Sequence, residues 1–153
     1  MNHITALNAD NLPAINEVIR SAISAWPLPP RLRRLATPIL TYDQTDMDAY
    51  QFFGWHSDPS APNLTLQGIC AWNTTVVHGL YVRADQQAHG IGRLLLKATS
   101  HASKMEGATS LLIKAQRVSA SYFQHLGLVK VDDLNDYPYT YELPCALCPD
   151  DIA

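Results

Sequence analysis

Two hydrophobic periods alternate along the chain, and the places where one gives way to the other mark its elements. Asn2–Asn8 reads as a short first strand. Asn8-Ala9-Asp10-Asn11 then offers capping side chains to a helix that runs to about Ala25. In that helix Pro13 suits the first turn, and Ile15, Ile19, Ala22 and Ile23 share one face. Trp26-Pro27-Leu28-Pro29-Pro30 stops it, and a second short helix is expected from Arg31 to about Thr37. Strands are expected over Ala49–Trp55 and Leu64–Trp72, joined by the turn-rich Ser57-Asp58-Pro59-Ser60-Ala61-Pro62-Asn63. The short link Asn73-Thr74 leads into a β-branched and aromatic strand, Thr75–Val82. From about Ile91 the period lengthens again, placing Ile91, Leu94, Leu95, Ala98, Ala102 and Met105 on one helical face. A strand Ser110–Ala115, a helix Val118–Leu126, a strand Val129–Asp132 and a last strand about Tyr139–Leu143 complete the pattern.

Short connections make the strands before residue 83 an antiparallel meander, whereas the strand after the long helix returns parallel to the Thr75 strand. The expected fold class is therefore α/β, with a mixed, largely antiparallel central sheet and helices on both faces. A length of 153 residues with 47% hydrophobic and 16% charged positions fits a single domain over 1–145 with a tail at 146–153.

The junction between the Thr75 strand and the long helix carries the chemistry. Gln87-Ala88-His89-Gly90-Ile91-Gly92 puts two glycines at a helix mouth, where unpaired N–H groups and the positive end of the macrodipole favour an anion. Two glycines serve a plain tight turn equally well. Two nucleotide motifs are excluded by spacing: the dinucleotide fingerprint needs glycine where Leu95 stands, and the P-loop needs Lys-Ser/Thr where Arg93-Leu94 follows Gly92. What remains is Gln-x-x-Gly-x-Gly, preceded by Leu80-Tyr81-Val82 and followed by an amphipathic helix, a strand, and Ser119-Ala120-Ser121-Tyr122-Phe123-Gln124-His125-Leu126-Gly127-Leu128. Over Thr75–Val131 this resembles the GCN5-related N-acetyltransferase superfamily.

The resemblance implies acetyl-CoA as co-substrate, without a metal. Its acetyl carbonyl and pantetheine would bond to the backbone of Leu80, Tyr81 and Val82, and its pyrophosphate would lie on Gln87, Ala88, His89, Gly90, Ile91, Gly92 and Arg93, with Phe123 alongside. The implied activity is direct transfer of an acetyl group to a primary amine of a small acceptor. The alternative is a non-catalytic acyl-CoA-binding or sensory module on the same fold. The sequence departs from the family pattern twice. Val76 stands where many relatives carry a glutamate base, which leaves His78, expected on the same strand face as Val76 and Leu80, as the nearest titratable substitute. Phe123 stands where a tyrosine acid is usual, with Tyr122 one residue earlier. The bland readings are a satisfied strand histidine for His78 and core packing for Tyr122. A water-relayed base, or an amine that binds already neutral, serves equally. In the family the segment after the first helix lines the acceptor pocket, so Trp26 is a substrate contact or a core anchor.

Charge and composition then narrow the partners. A net charge of −3, with no basic run longer than the Arg31-Leu32-Arg33-Arg34 cluster, argues against a nucleic-acid surface. The sequence shows no signal segment and no apolar run of membrane length, so a cytoplasmic protein without membrane contact is expected, and a homodimer is compatible. Cys70, Cys145 and Cys148 are expected to stay reduced, and the isolated Cys145-x-x-Cys148 reads as structural or incidental. Asp132, Asp133 and Asp136 beside Tyr137, Tyr139 and Tyr141 suggest a cationic, partly apolar acceptor.

Overall fold

The computed structural model describes residues 3–87, 89–115, 117–131 and 140–144. Reciprocal bonds between the Asn8 and Asn11 side chains and each other's turn cap a 3₁₀ turn at Ala9–Asn11, which feeds directly into the first helix. The elements in order are β1 (Ile4–Ala6), α1 (Leu12–Ser24), α2 (Pro30–Leu40), α3 (Gln44–Ala49), β2 (Gln51–His56), β3 (Leu66–Asn73), β4 (Val76–Val82), α4 (Ile91–Met105), β5 (Ser110–Lys114), α5 (Ala120–His125), β6 (Val129–Lys130) and β7 (Thr140–Pro144). They form one seven-stranded sheet in the order β1-β2-β3-β4-β5-β7-β6. Every neighbouring pair is antiparallel except β4 with β5, whose parallel pairing follows from the α4 crossover, as the sequence predicts.

Two clusters of apolar side chains fill the two faces of the sheet. Ile15, Val18, Ile19, Ala22 and Ile23 of α1 lie on Phe52, Ile69, Ala71 and Tyr81. On the opposite face Ile91, Leu95 and Leu96 of α4 pack with Cys70, Trp72, Val77 and Ile113, and Phe123 and Tyr141 extend the cluster. The predicted inward face of α1 is correct. That of α4 is not.

On α4, Leu94 and Met105 face solvent, while Leu96, Thr99, Ser100 and Ser103 are buried. The buried arc is rotated by about a quarter turn from the one hydrophobicity alone selects. Small hydroxyl residues can occupy it, and the two fully buried ones, Thr99 and Ser103, have partners. Thr99 Oγ1 donates to the Leu95 carbonyl at 2.8 Å and lies 3.3 Å from Cys70 Sγ. Ser103 Oγ donates to the Thr74 carbonyl and ties the helix to the β3–β4 turn.

The other departures are at boundaries. The residues expected to start β2 at Ala49 instead end α3, a helix the hydrophobic pattern does not show; an aspartate pair caps it, Asp46 N–H donating to Asp43 Oδ1 at 3.1 Å and Asp43 N–H to Asp46 Oδ2 at 2.9 Å. α2 runs to Leu40, beyond the expected Thr37, and carries Pro38 in its last turn. β3 starts at Leu66 and not Leu64, which is exposed. The helix expected from Val118 opens as a 3₁₀ turn at Arg117–Ser119 and becomes α-helical at Ala120. Asp132, Asp133, Asp136, Tyr137, Tyr139, Cys145 and Cys148 fall outside the described residues.

Candidate functional site

The site is organised by a strand that has lost one of its neighbours. β4 pairs with β3 along its whole length, but with β5 only through Val76↔Leu112 and Val77↔Ile113. Beyond Val77 the two strands part, leaving a narrow slot lined by His78, Gly79, Leu80, Ile113, Lys114 and Phe123. Arg83 N–H donates to the Gln67 carbonyl at 2.8 Å. Ladder bonds fall on alternate residues of an antiparallel strand, so Tyr81 and Gly79 face β3, while the N–H and C=O groups of Leu80 and Val82 face the parted edge. An open row of backbone donors and acceptors of this kind takes an extended ligand as an added strand would. The Tyr81 side chain lies in the cluster under α1, and burial pushes its hydroxyl up to about 12, so only its main chain borders the slot.

A bulge sits beside the slot. Ala71 pairs with Gly79 and Trp72 with Val77, which leaves His78 as the extra residue. Strict alternation therefore fails here: Val77 joins the cluster that Leu80 packs against, while the His78 ring lies 4.3 Å from the ring of Tyr50, on the α1 side. The expectation that Val76, His78 and Leu80 share a face is corrected by this one-residue insertion. His78 Nε2 lies 3.0 Å from Asn73 Oδ1, which fixes the proton on Nε2 and leaves the Nδ1 lone pair available. Partial burial, followed by the nearby Lys114 charge, lowers the His78 pKa from 6.5 to about 4.

At the far end of the slot stands the mouth of α4. Gly90 is its N-cap in a left-handed conformation (φ 79°), with no capping side chain, and a Cβ there would meet nothing within 4 Å. Glycine is needed at this position for the backbone conformation and not for room. Leu94 N–H makes the first bond of this helix, to the Gly90 carbonyl at 3.0 Å, so the N–H groups of Ile91, Gly92 and Arg93 precede the helical ladder. His89 and Arg93 are exposed beside them. The Gln87 side chain donates to the Val82 carbonyl at 3.3 Å, holding the loop against the end of β4. Ile91 is a core residue that offers only its main chain, and Ala88 lies outside the described residues.

Gly92 has a steric role. A Cβ on it would sit 2.6 Å from the Tyr122 hydroxyl and 3.7 Å from a Leu80 methyl. Tyr122 thus lies against the helix mouth at Gly92 and is not a buried core residue; it is 38% exposed. Phe123 is the core residue of the pair, buried 5.3 Å from the Tyr122 ring and 5.6 Å from that of Tyr141. Burial raises the Tyr122 pKa, and the Arg93 charge opposes this. The hydroxyl stays protonated at neutral pH.

Local patterning misses the residues around His78. Tyr42 lies between α2 and α3, gripped by Asn16: Tyr42 N–H donates to Asn16 Oδ1 at 2.9 Å, and Asn16 Nδ2 donates to the Tyr42 carbonyl at 2.9 Å. Its hydroxyl fills the space that a Cβ on Gly79 would need. Its ring meets Phe52 edge-on at 5.2 Å and Tyr50 at 6.3 Å, so an aromatic wall stands beside the bulge. Burial pushes the Tyr42 hydroxyl above its ordinary pKa of 10.0. No periodic signal could have found Tyr42, because it belongs to no regular element. Trp26 packs against the α1-side cluster, which is the core-anchor reading. Cys70 is buried, and burial pushes its thiol up to about 12, so it is not an activated nucleophile.

A family model described as an acetyltransferase (GNAT) domain matches residues 66–136. No curated protein matches the sequence. Among solved structures, the chain is similar to the PaiA N-acetyltransferase of Thermoplasma acidophilum in complex with coenzyme A, at 18% identity and TM-score 0.73, covering 94% of this chain and 99% of that one. It is also similar to a GCN5-related N-acetyltransferase of Rhodopseudomonas palustris, at 12% identity and TM-score 0.71, covering 91% of each chain. A GNAT family acetyltransferase of Brucella melitensis in complex with acetyl-CoA matches at 14% identity and TM-score 0.57, covering 93% of this chain and 86% of that one. At these identities the structural likeness speaks for the fold.

Proposed function

We propose that this chain, whose residues 66–136 match the GNAT acetyltransferase family model and whose fold is shared with solved N-acetyltransferases, moves an acetyl group from acetyl-CoA directly to a primary amine of a small acceptor. The observation that carries the reading is the alignment of the parted β4 edge with the uncapped mouth of α4. An extended arm with amide groups fits the first, and a pyrophosphate fits the second. In this reading the backbone of Leu80 and Val82 holds the pantetheine and the thioester carbonyl, and the N–H groups of Ile91, Gly92 and Arg93 hold the pyrophosphate with His89 and Arg93 beside it. Two structural neighbours with CoA or acetyl-CoA bound support this reading.

The amine nitrogen attacks the thioester carbonyl carbon, the Leu80 N–H stabilises the oxyanion, and the C–S bond breaks. Tyr122 is the proton donor to the departing thiolate, since its protonated hydroxyl lies against Gly92 at the helix mouth while Phe123 has none to give. His78, with a pKa near 4, is neutral at physiological pH but too weak a base to store the amine's proton. Its Nδ1 lone pair orients an amine that arrives already neutral, and solvent takes the proton lost after attack. The weak base also keeps a second reading in play, an acyl-CoA-binding module that does not turn over.

Binding of acetyl-CoA, CoA, ATP and NAD should be compared by thermal shift, and thiol release from acetyl-CoA measured against a panel of amines. The proposal expects stabilisation by both CoA species and turnover with at least one amine. Preference for ATP or NAD would sink the cofactor assignment. Tight acetyl-CoA binding with no amine-dependent release would favour the binding module.

A further inference from the structure

The Arg31-Leu32-Arg33-Arg34 cluster has no part in the reading above, yet the fold gives it a setting. α1 and α2 are joined by the proline-rich turn of residues 25–29, and they leave between them a groove of about 230 Å³ lined by Arg20, Ile23, Ser24, Pro30, Arg33, Arg34 and Thr37. Three of the chain's seven arginines meet there, in a protein whose net charge is −3. One of these guanidinium groups, that of Arg20, pairs with Glu17 at 2.7 Å; both side chains are at least half exposed. Such a pair is worth little in water and yields to a better anion.

The donors are available. Arg33 uses one N–H on the Trp26 carbonyl at 3.3 Å, a bond that anchors the side chain to the rigid turn and leaves four donors free. Arg34 has neither a hydrogen bond nor an ion pair among the described residues. The Ser24 and Thr37 hydroxyls donate to the Ser21 and Arg33 carbonyls of their own helices, so an incoming anion would be held by guanidinium forks. Ile23 and Pro30 give the groove an apolar floor, which strengthens charged hydrogen bonds made against it. The groove shares no lining residue with the β4–β5 slot or the mouth of α4.

We propose that the α1–α2 groove is a separate binding site for a small multivalent oxyanion, of the phosphate or phosphoanhydride class, held by Arg20, Arg33 and Arg34. The inference is independent of the acetyl-transfer reading. The anion could be a free molecule or the phosphates of CoA itself, and the test separates the two.

Inorganic pyrophosphate is titrated calorimetrically into the full chain, alone and after saturation with CoA. The expected result is one site with Kd below about 1 mM that survives CoA saturation and weakens steeply with salt. Arg34→Ala, which removes a side chain with no internal partner, should lower affinity by about tenfold, and the Arg33→Ala/Arg34→Ala pair should abolish binding. Arg33→Lys/Arg34→Lys keeps the charge and removes the fork, and should recover only part of the affinity. CoA affinity should be the same in the wild type and all these variants. Absence of pyrophosphate binding, binding that Arg34→Ala leaves unchanged, or binding that CoA displaces would each overturn the proposal, the last by assigning the anion to the cofactor.

Discussion

The helices α4 and α2 show how differently the two sides of the molecule are built. α4 buries seven of its residues, from Ile91 to Ser103, and is fastened to the sheet by the core and by the bonds of Thr99 and Ser103. α2 buries none, and its Leu32, Leu35 and Ile39 stand exposed. The helix whose N-terminus is proposed to hold a ligand's phosphates cannot move without disturbing the core, whereas α2 meets the core only through the partly buried Ala36 and Leu40.

The largest effect is expected from breaking α4. Leu95→Ala should cost about 2–5 kcal/mol of stability, because the buried side chain leaves a cavity in a close-packed core. On α2, Leu35→Ala should change stability by no more than about 0.5 kcal/mol. Chemical denaturation of both variants checks the contrast, and similar losses would show that α2 is as firmly seated as α4.

Tyr122→Phe comes next. Loss of the proposed proton donor should slow turnover by about 10² to 10⁴, with acetyl-CoA affinity and melting temperature nearly unchanged. Phe123→Tyr should bring no gain, since that position points into the core, and a rate increase there would transfer the acid's role to it. At the helix mouth, Gly90→Val forces a β-branched residue into the left-handed region at a cost of about 1–3 kcal/mol. It should also weaken CoA binding by about tenfold or more through misdirected N–H groups. Unchanged affinity in a folded variant would refute the phosphate role of the mouth.

The smallest effects concern His78. Its folded pKa near 4 lies below its unfolded value of 6.5, so the unfolded chain takes up the proton first as pH falls. The contribution to stability is therefore present above about pH 6.5 and is lost as pH falls toward 4. Replacing His78 with Asn should flatten the melting temperature across that window. In the wild type, kcat/KM should rise with pH through the acceptor's own amine pKa and show no break near 6.5. Such a break would make His78 the base after all.

The sequence alone determined the order of elements apart from α3, the mixed sheet, the inward face of α1 and the Gln87–Gly92 junction, because these depend on local periodicity and on glycines needed where they stand. Tertiary structure decided the rest. Alternation has period two only while a strand is regular, and one inserted residue at His78 sends its ring toward Tyr50 and away from Leu80. Hydrophobicity orients a helix only if polar side chains avoid the core, and Thr99 and Ser103 enter it because the carbonyls they meet belong to the folded chain. Tyr122 reads like any aromatic residue of an amphipathic helix until the missing Cβ of Gly92, thirty residues away in sequence, makes room for its hydroxyl. Contacts between residues distant in the chain leave no periodic trace, and most of the side chains proposed for catalysis are positioned by such contacts.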